Sequence, residues 1–260
     1  MKTPESSKLI CGKLPCQSIA SSKPSRLPGR MTEQVIVVLF LLLLTCLPAL
    51  AQPIVDYRFD GNFDDSAAGS TILVHPDCPA NPCNATSEFG SDASGTFWQW
   101  TSSNSSGGGF TIMTLDELGD TYTIRLKISF DDVLGFNKII DYKNRSSDDG
   151  LYFISGRLRF FPVVSSEESF PAGEILDLTI ARDGPSQQVA LLLDFGDSNQ
   201  NLFEFTDTSN RAVAEVIDGG SVLGFFHDDL VTIGEGTSGG KVYAVQIFDS
   251  FLTLFKDGFE

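Results

Sequence analysis

Residues 222–249 read VLGFFHDDLVTIGEGTSGGKVYAVQIFD, and the fold is decided there. An aromatic run ends in a carboxylate pair, Asp228 and Asp229. A small-residue loop follows, from Gly234 to Gly240. Residues 241–248 (KVYAVQIF) then alternate as a half-buried β-strand does. Small residues before such a strand let it return tightly beside a neighbour. The partner expected for it is the first strand after the leader, residues 54–59 (IVDYRF), which alternates in the same way. Pairing the first strand with the last closes a β-sandwich.

The chain between them is dense in strand signals. Residues 121–130 (TYTIRLKISF) place Tyr122, Ile124, Leu126 and Ile128 on one face and Thr123, Arg125 and Lys127 on the other. Residues 71–75, 95–101, 110–114, 137–142 and 202–206 read as further strands. Residues 150–155 and 157–163 read as a hairpin turning at Ser155-Gly156, and 174–182 and 188–195 as another across Asp183-Gly184-Pro185. Residues 115–118 could form one helical turn. No segment keeps a helical period over three turns. About a dozen short, evenly spaced strands without helices between them predict an all-β, two-sheet antiparallel sandwich, and no repeat or linker divides it.

The 260 residues are 42% hydrophobic and 11% aromatic, enough for a packed core and too apolar for disorder. The leader is residues 1–51. Residues 35–47 (VIVVLFLLLLTCL) are almost wholly apolar, and Ala49-Leu50-Ala51 is a small-x-small processing site before Gln52. That pattern is a secretory signal rather than a membrane span, so no span is expected after cleavage. Counted from Met1 the basic n-region is unusually long. Counted from Met31 it has no basic residue; the balance favours Met31 as the start. Residues 1–51 hold six basic and two acidic residues, so of 18 basic and 34 acidic residues 12 and 32 remain, a net of −20. Such a surface repels phosphate backbones and argues against nucleic acid.

Cys78 and Cys83 are the cysteines that follow the leader. In the exported chain the pair is expected as a local disulfide closing a short loop, worth about 2 kcal/mol. A metal held by the two thiols and His75 is the poorer alternative.

Several motifs together resemble a known family. YRFDGNFDDSAAG (57–69), TYTIRLKISFDD, KIIDYKNRSSDDGLYFISGRLRFFP, LTIARDGPSQQVALLLDF and GGKVYAVQIFDSFLT resemble, in that order, the opening turn, central strands, ligand-facing hairpin and closing strand of laminin-G-like domains. These belong to the concanavalin A-like lectin/glucanase superfamily. The resemblance implies a jelly-roll β-sandwich over residues 52–252. Residues 253–260 are left as a tail, and LFKDGFE resembles a terminal segment of secreted Gram-negative proteins. On that reading the sequons at Asn84, Asn104 and Asn144 are incidental; in a eukaryote they are candidate glycan sites.

The resemblance also implies a calcium site at the opening turn, with Asp60, Asn62 and Asp65 as ligands and Asp64 as a spare. The family often adds an Asp after the glycine of its closing strand, where this chain has Lys241-Val242-Tyr243-Ala244. The candidate glycan contacts are Trp98 and Trp100, two apart on one strand face, and the acidic turn Asp228-Asp229, a second place for a cation. The competing expectations are that the tryptophans belong to the core and that the acidic turn, like neighbouring His227, is merely solvated. Retaining glucanases in this superfamily carry Glu, Asp and Glu on alternate strand positions. Glu174 and Asp177 lie three apart, so a strand aims them oppositely. The expectation is an exported, non-catalytic module that binds a glycan or surface polymer at the cell exterior. The alternatives are a purely structural module and, more remotely, a hydrolase.

Overall fold

The computed structural model describes residues 51–74, 86–101, 108–194, 199–231 and 238–251. In chain order the strands are β1 (Val55–Tyr57), β2 (Ser70–Val74), β3 (Thr86–Asp92), β4 (Gly95–Thr101), β5 (Phe110–Thr114), β6 (Tyr122–Phe130), β7 (Phe136–Asp141) and β8 (Gly150–Ile154). They continue with β9 (Arg157–Phe161), β10 (Val164–Ser165), β11 (Leu176–Asp183), β12 (Gln188–Asp194), β13 (Asn199–Thr206), β14 (Glu215–Ile217), β15 (Gly220–Phe225) and β16 (Gly240–Phe248). Every pairing among them is antiparallel.

The strands form two eight-stranded sheets. The first runs β13-β12-β11-β6-β16-β4-β3, with β1 also on β16. The second runs β10-β9-β8-β7-β15-β5-β2, with β14 also on β15. The chain is an all-β jelly-roll sandwich of two antiparallel sheets, and among the described residues no helix is long and apolar enough to cross a membrane.

The expected closure is present. β1 pairs with β16 in the register Val55↔Ile247 and Tyr57↔Val245, and all four side chains are buried. β4 occupies the same edge of β16 further back, at Gly240–Val242, so β1 and β4 lie end to end. The small residues before β16 have a steric reason. A Cβ on Gly240 would overlap the Ser129 carbonyl and lie 2.8 Å from the Trp100 ring. The Ser155-Gly156 hairpin is also as expected, with positive φ at both positions (54° and 80°), as a two-residue hairpin turn requires.

Three details differ from the sequence reading. Residues 115–116 bend and 117–118 are irregular, with no helical turn; Ser221 Oγ accepts from Leu118 N–H at 2.9 Å there. Residues 86–92 (TSEFGSD) form β3, although they are mostly exposed and carry little hydrophobic alternation. β16 holds a bulge between Val242 and Ala244, so Val242, Val245 and Ile247 all reach the core while Ala244 and Gln246 face outward.

The core between the sheets is heavily aromatic. Trp98 stacks on Trp100 at 5.8 Å, Trp100 stacks on Phe226 at 4.4 Å, and Phe130 meets both Trp100 and Phe226 edge-on. Trp100 Nε1 donates to Ser238 O at 3.0 Å, which satisfies its one polar atom.

Candidate functional site on the open face of the first sheet

The expected site residues are best taken first. Asp65 sits between β1 and β2. Its Oδ1 accepts from the N–H groups of Asp56 (2.8 Å) and Ala67 (2.9 Å), and its Oδ2 from Gly69 N–H (2.9 Å) and the Ser70 hydroxyl (2.8 Å). Two donors on each oxygen use the whole acceptor capacity of a carboxylate. Asn62 Oδ1 accepts from Asp64 N–H at 2.8 Å, closing an Asx turn. Of the three expected ligands only Asp60 has no such local duty. The residues present do not fit a calcium cage, which takes six to eight oxygens. Among the described residues, no group of three or more His, Cys, Asp or Glu side chains is placed to hold a metal.

Trp98 and Trp100 are 1% and 0% exposed, so neither offers a ring face to a ligand. They do share one face, as their spacing predicts, but it is the inner one. Asp228 and Asp229 are 0% exposed and His227 is 1% exposed. The acidic turn is therefore neither a solvated loop nor an accessible binding edge. It lies over the outer side of β7 and β8 and clamps Lys138, also fully buried, whose ammonium donates to Asp229 Oδ2 (3.2 Å), Asp141 Oδ2 (3.0 Å) and Ser147 O (3.3 Å). The ammonium also lies 5.0 Å from the Tyr152 ring centre. Burial, helped by the charges of Asp228, Asp148 and Asp229, pushes the Tyr152 hydroxyl far above its ordinary range. Burial likewise raises Asp148, to which Tyr152 donates at 3.0 Å. Arg145 Nε closes the cluster by donating to Asp228 O at 2.8 Å. Cys78, Cys83 and His75 lie outside the described residues.

The accessible polar chemistry is elsewhere, on the outer face of the first sheet. A groove of about 260 Å³ crosses β11, β6 and β16. β11 contributes Asp177 and Thr179, β6 contributes Arg125 and Lys127, and β16 contributes Ala244 and Gln246. The register places them in rows: Asp177 opposite Lys127 opposite Ala244, and Thr179 opposite Arg125 opposite Gln246. The second row continues onto β1, where Gln246 faces Asp56 and donates to its Oδ1 at 3.2 Å. Asp56 in turn holds Arg58 at the rim through contacts of 2.6 and 2.8 Å. The small side chain of Ala244 gives the groove its depth.

Aromatic rings brace both ends of the cationic row. Arg125 Cζ lies 5.3 Å from the Phe248 ring centre, and Lys127 Nζ lies 5.4 Å from that of Tyr243 while donating to Ser94 O at 3.1 Å. Tyr243 packs edge-on to Phe97 at 5.6 Å and donates to Asp92 Oδ2 at 2.9 Å. Burial, together with the Asp92 hydrogen bond, pushes Tyr243 up to about 12. Asp92 also accepts from Lys241 Nζ at 2.8 Å, and that bond, followed by the one from Ser94 N–H, holds its carboxyl down at about 2. The β3–β4 hairpin is thus locked against β16 beside the groove.

The alternation of residues 121–130 had already set Arg125 and Lys127 on the face away from the core. What it could not say is that Asp177, Thr179 and Gln246 join them. Asp177 lies in the groove, whereas Glu174 lies before β11 and is exposed, so no carboxylate pair forms there. Asp177 is the one carboxylate in the groove lining.

No protein-family model matches the chain, and no curated protein matches it in sequence. Solved structures match in fold. A Trypanosoma rangeli sialidase in complex with sialic acid aligns over 86% of this chain and 38% of that one, with 11% identity and a TM-score of 0.50. Arcelin-5, a lectin-like defense protein from Phaseolus vulgaris, aligns over 71% of this chain and 100% of that one, with 13% identity and a TM-score of 0.40. The winged bean acidic lectin complexed with methyl-alpha-D-galactose covers 68% and 96%, with 8% identity and a TM-score of 0.41. At these identities the likeness concerns the fold alone.

Proposed function

We propose that this chain is an exported, non-catalytic, laminin-G-like module that binds a glycan or surface polymer in the groove on its first sheet. One observation carries the reading: Arg125, Lys127, Asp177, Thr179 and Gln246 meet on an open sheet face, around the small Ala244. Converging polar side chains of mixed donor and acceptor character suit a ligand covered in hydroxyls. A carboxylate pair is what glycoside hydrolysis needs, and one carboxylate lines the groove. Export rests on the apolar run at 35–47 and the Ala49-Leu50-Ala51 site. The lectins and the sugar-bound sialidase that share the fold are consistent with this reading.

The test is a glycan array with the purified protein and its Ala244→Trp variant, in which an indole fills the groove. Binding by the parent that the folded variant loses supports the reading. Binding unchanged in the variant refutes this groove, and self-association without glycan binding favours a purely structural module. Reducing ends released from a β-glucan would refute the non-catalytic assignment.

A further inference from the structure

The groove has a charge opposite to that of the chain around it. The chain carries 18 basic against 34 acidic residues. The groove lining carries Arg58, Arg125 and Lys127 against Asp177. Cations elsewhere are bound into the protein's own interior or surface pairs, and Arg58 too is paired, with Asp56 at the groove rim. Lys138 is clamped by Asp141 and Asp229, Arg182 is buried on Asp207, Arg211 pairs with Asp149, and Lys241 pairs with Asp92. Lys143 reaches two backbone carbonyls, those of Asn210 and Val213. With Asp177 and the rim carboxylate Asp56 both counted, three cations against two carboxylates still leave the groove net positive in a strongly acidic protein.

Arg125 and Lys127 are two apart on β6, so their Cα atoms lie ~7 Å from one another along the strand. Their charged ends rest over the Phe248 and Tyr243 rings, which restricts both side chains before a ligand arrives and lowers the entropy lost on binding. A guanidinium offers a planar fork that matches a carboxylate, and an ammonium adds a point charge beside it. Thr179 and Gln246 supply neutral polar contacts in the row through Arg125.

Building on the glycan-binding reading above, we infer that the ligand is an acidic glycan: a carbohydrate whose sugar units carry carboxylates, seated across Arg125, Lys127 and Arg58. A free polyanion without sugar hydroxyls satisfies the cations but not Thr179 and Gln246.

The test is calorimetric titration of the purified protein with oligogalacturonate, oligomannuronate and sialyllactose. Each is set beside its uncharged counterpart: methyl-esterified galacturonate, oligomannose and lactose. The expected result is binding of at least one carboxylated glycan, at least tenfold tighter than its uncharged form and weakened by added salt. Arg125→Gln is expected to weaken it by about tenfold or more, as loss of one charge-assisted contact does. Arg58→Gln, at an exposed rim position beyond β1, is a second variant that leaves the strands untouched, and it is expected to weaken binding several-fold. Equal binding of charged and uncharged forms overturns this inference and leaves the glycan reading standing. Tight acidic binding indifferent to both variants overturns the groove as its seat. Binding of no member of the panel by a folded protein overturns the acidic assignment, and failure on the wider array then removes the glycan reading too.

Discussion

Replacing Lys138 by Met tests the buried cluster beneath the 226–231 loop. The ammonium makes three contacts of 3.0 to 3.3 Å, and its two carboxylate partners, Asp141 and Asp229, have no exposed side-chain surface. Methionine fills a similar volume, so little cavity energy enters. What is lost is the cation between two carboxylates that water does not reach. Breaking a buried pair by removing one partner costs roughly 3–5 kcal/mol, because the partner charge stays behind in a poor solvent. In a domain of this size ~1 kcal/mol corresponds to ~2–4 °C, so Tm is expected to fall by about 6–20 °C. The internal control is Lys241→Met. Lys241 pairs with Asp92, but both side chains are about one-third exposed, at 30% and 33%, and a solvent-screened pair contributes far less than a buried one. The assay is urea unfolding followed by tryptophan fluorescence, with Trp98 and Trp100 as buried reporters. A second comparison removes Lys138 and Asp229 together, as Lys138→Met with Asp229→Leu. That pair is expected to recover part of the loss, since the two sites share one interaction. If Lys138→Met costs no more than Lys241→Met, the clamp is not what orders these loops and the reasoning fails.

Further outcomes follow from the opening turn and the hairpin lock. Asp65→Ala leaves three backbone N–H groups without their acceptor and the Ser70 hydroxyl with Tyr57 Oη alone, and is expected to cost about 2–4 kcal/mol, whereas Tm of the parent is expected to be the same with calcium and with EDTA; a calcium-dependent rise would show a native-state cation site. Because the Lys241 and Ser94 hydrogen bonds hold Asp92 down at about 2 in the folded protein, below its ordinary 3.8, its contribution is complete above pH 4 and is lost as pH falls toward 2; Tyr243, raised to about 12 from 10, contributes fully below pH 10 and loses that contribution between pH 10 and 12. Tyrosine absorbance titration of the parent against Tyr243→Phe checks the second half, and a Tyr243 midpoint near 10 would refute it.

Much of the fold was legible because strand periodicity is local. Alternation alone set Ile124, Leu126 and Ile128 inward and Arg125 and Lys127 outward. Ser155-Gly156 announced its hairpin, and the small residues before β16 announced a close return. Residues 86–92 escaped because an edge strand that is mostly exposed on both sides has no hydrophobic period to read. The site was less legible, since its chemistry depends on who sits opposite whom.

The sequence by itself determined which residues alternate, where the chain turns and that its two ends pair in one sheet. It also determined that Trp98 and Trp100 share a face. Only the tertiary structure decided which face that was, and it is the inner one. It likewise decided that Asp229 meets Lys138 from 91 positions away, turning an apparent surface chelator into a buried clamp. The groove has the same origin. Residues from β11, β6, β16 and the end of β1 become neighbours through sheet order and register. Register is fixed by packing between strands distant in the chain, with a single bulge at Val242–Ala244 setting which side chains of β16 face outward. No local pattern encodes that.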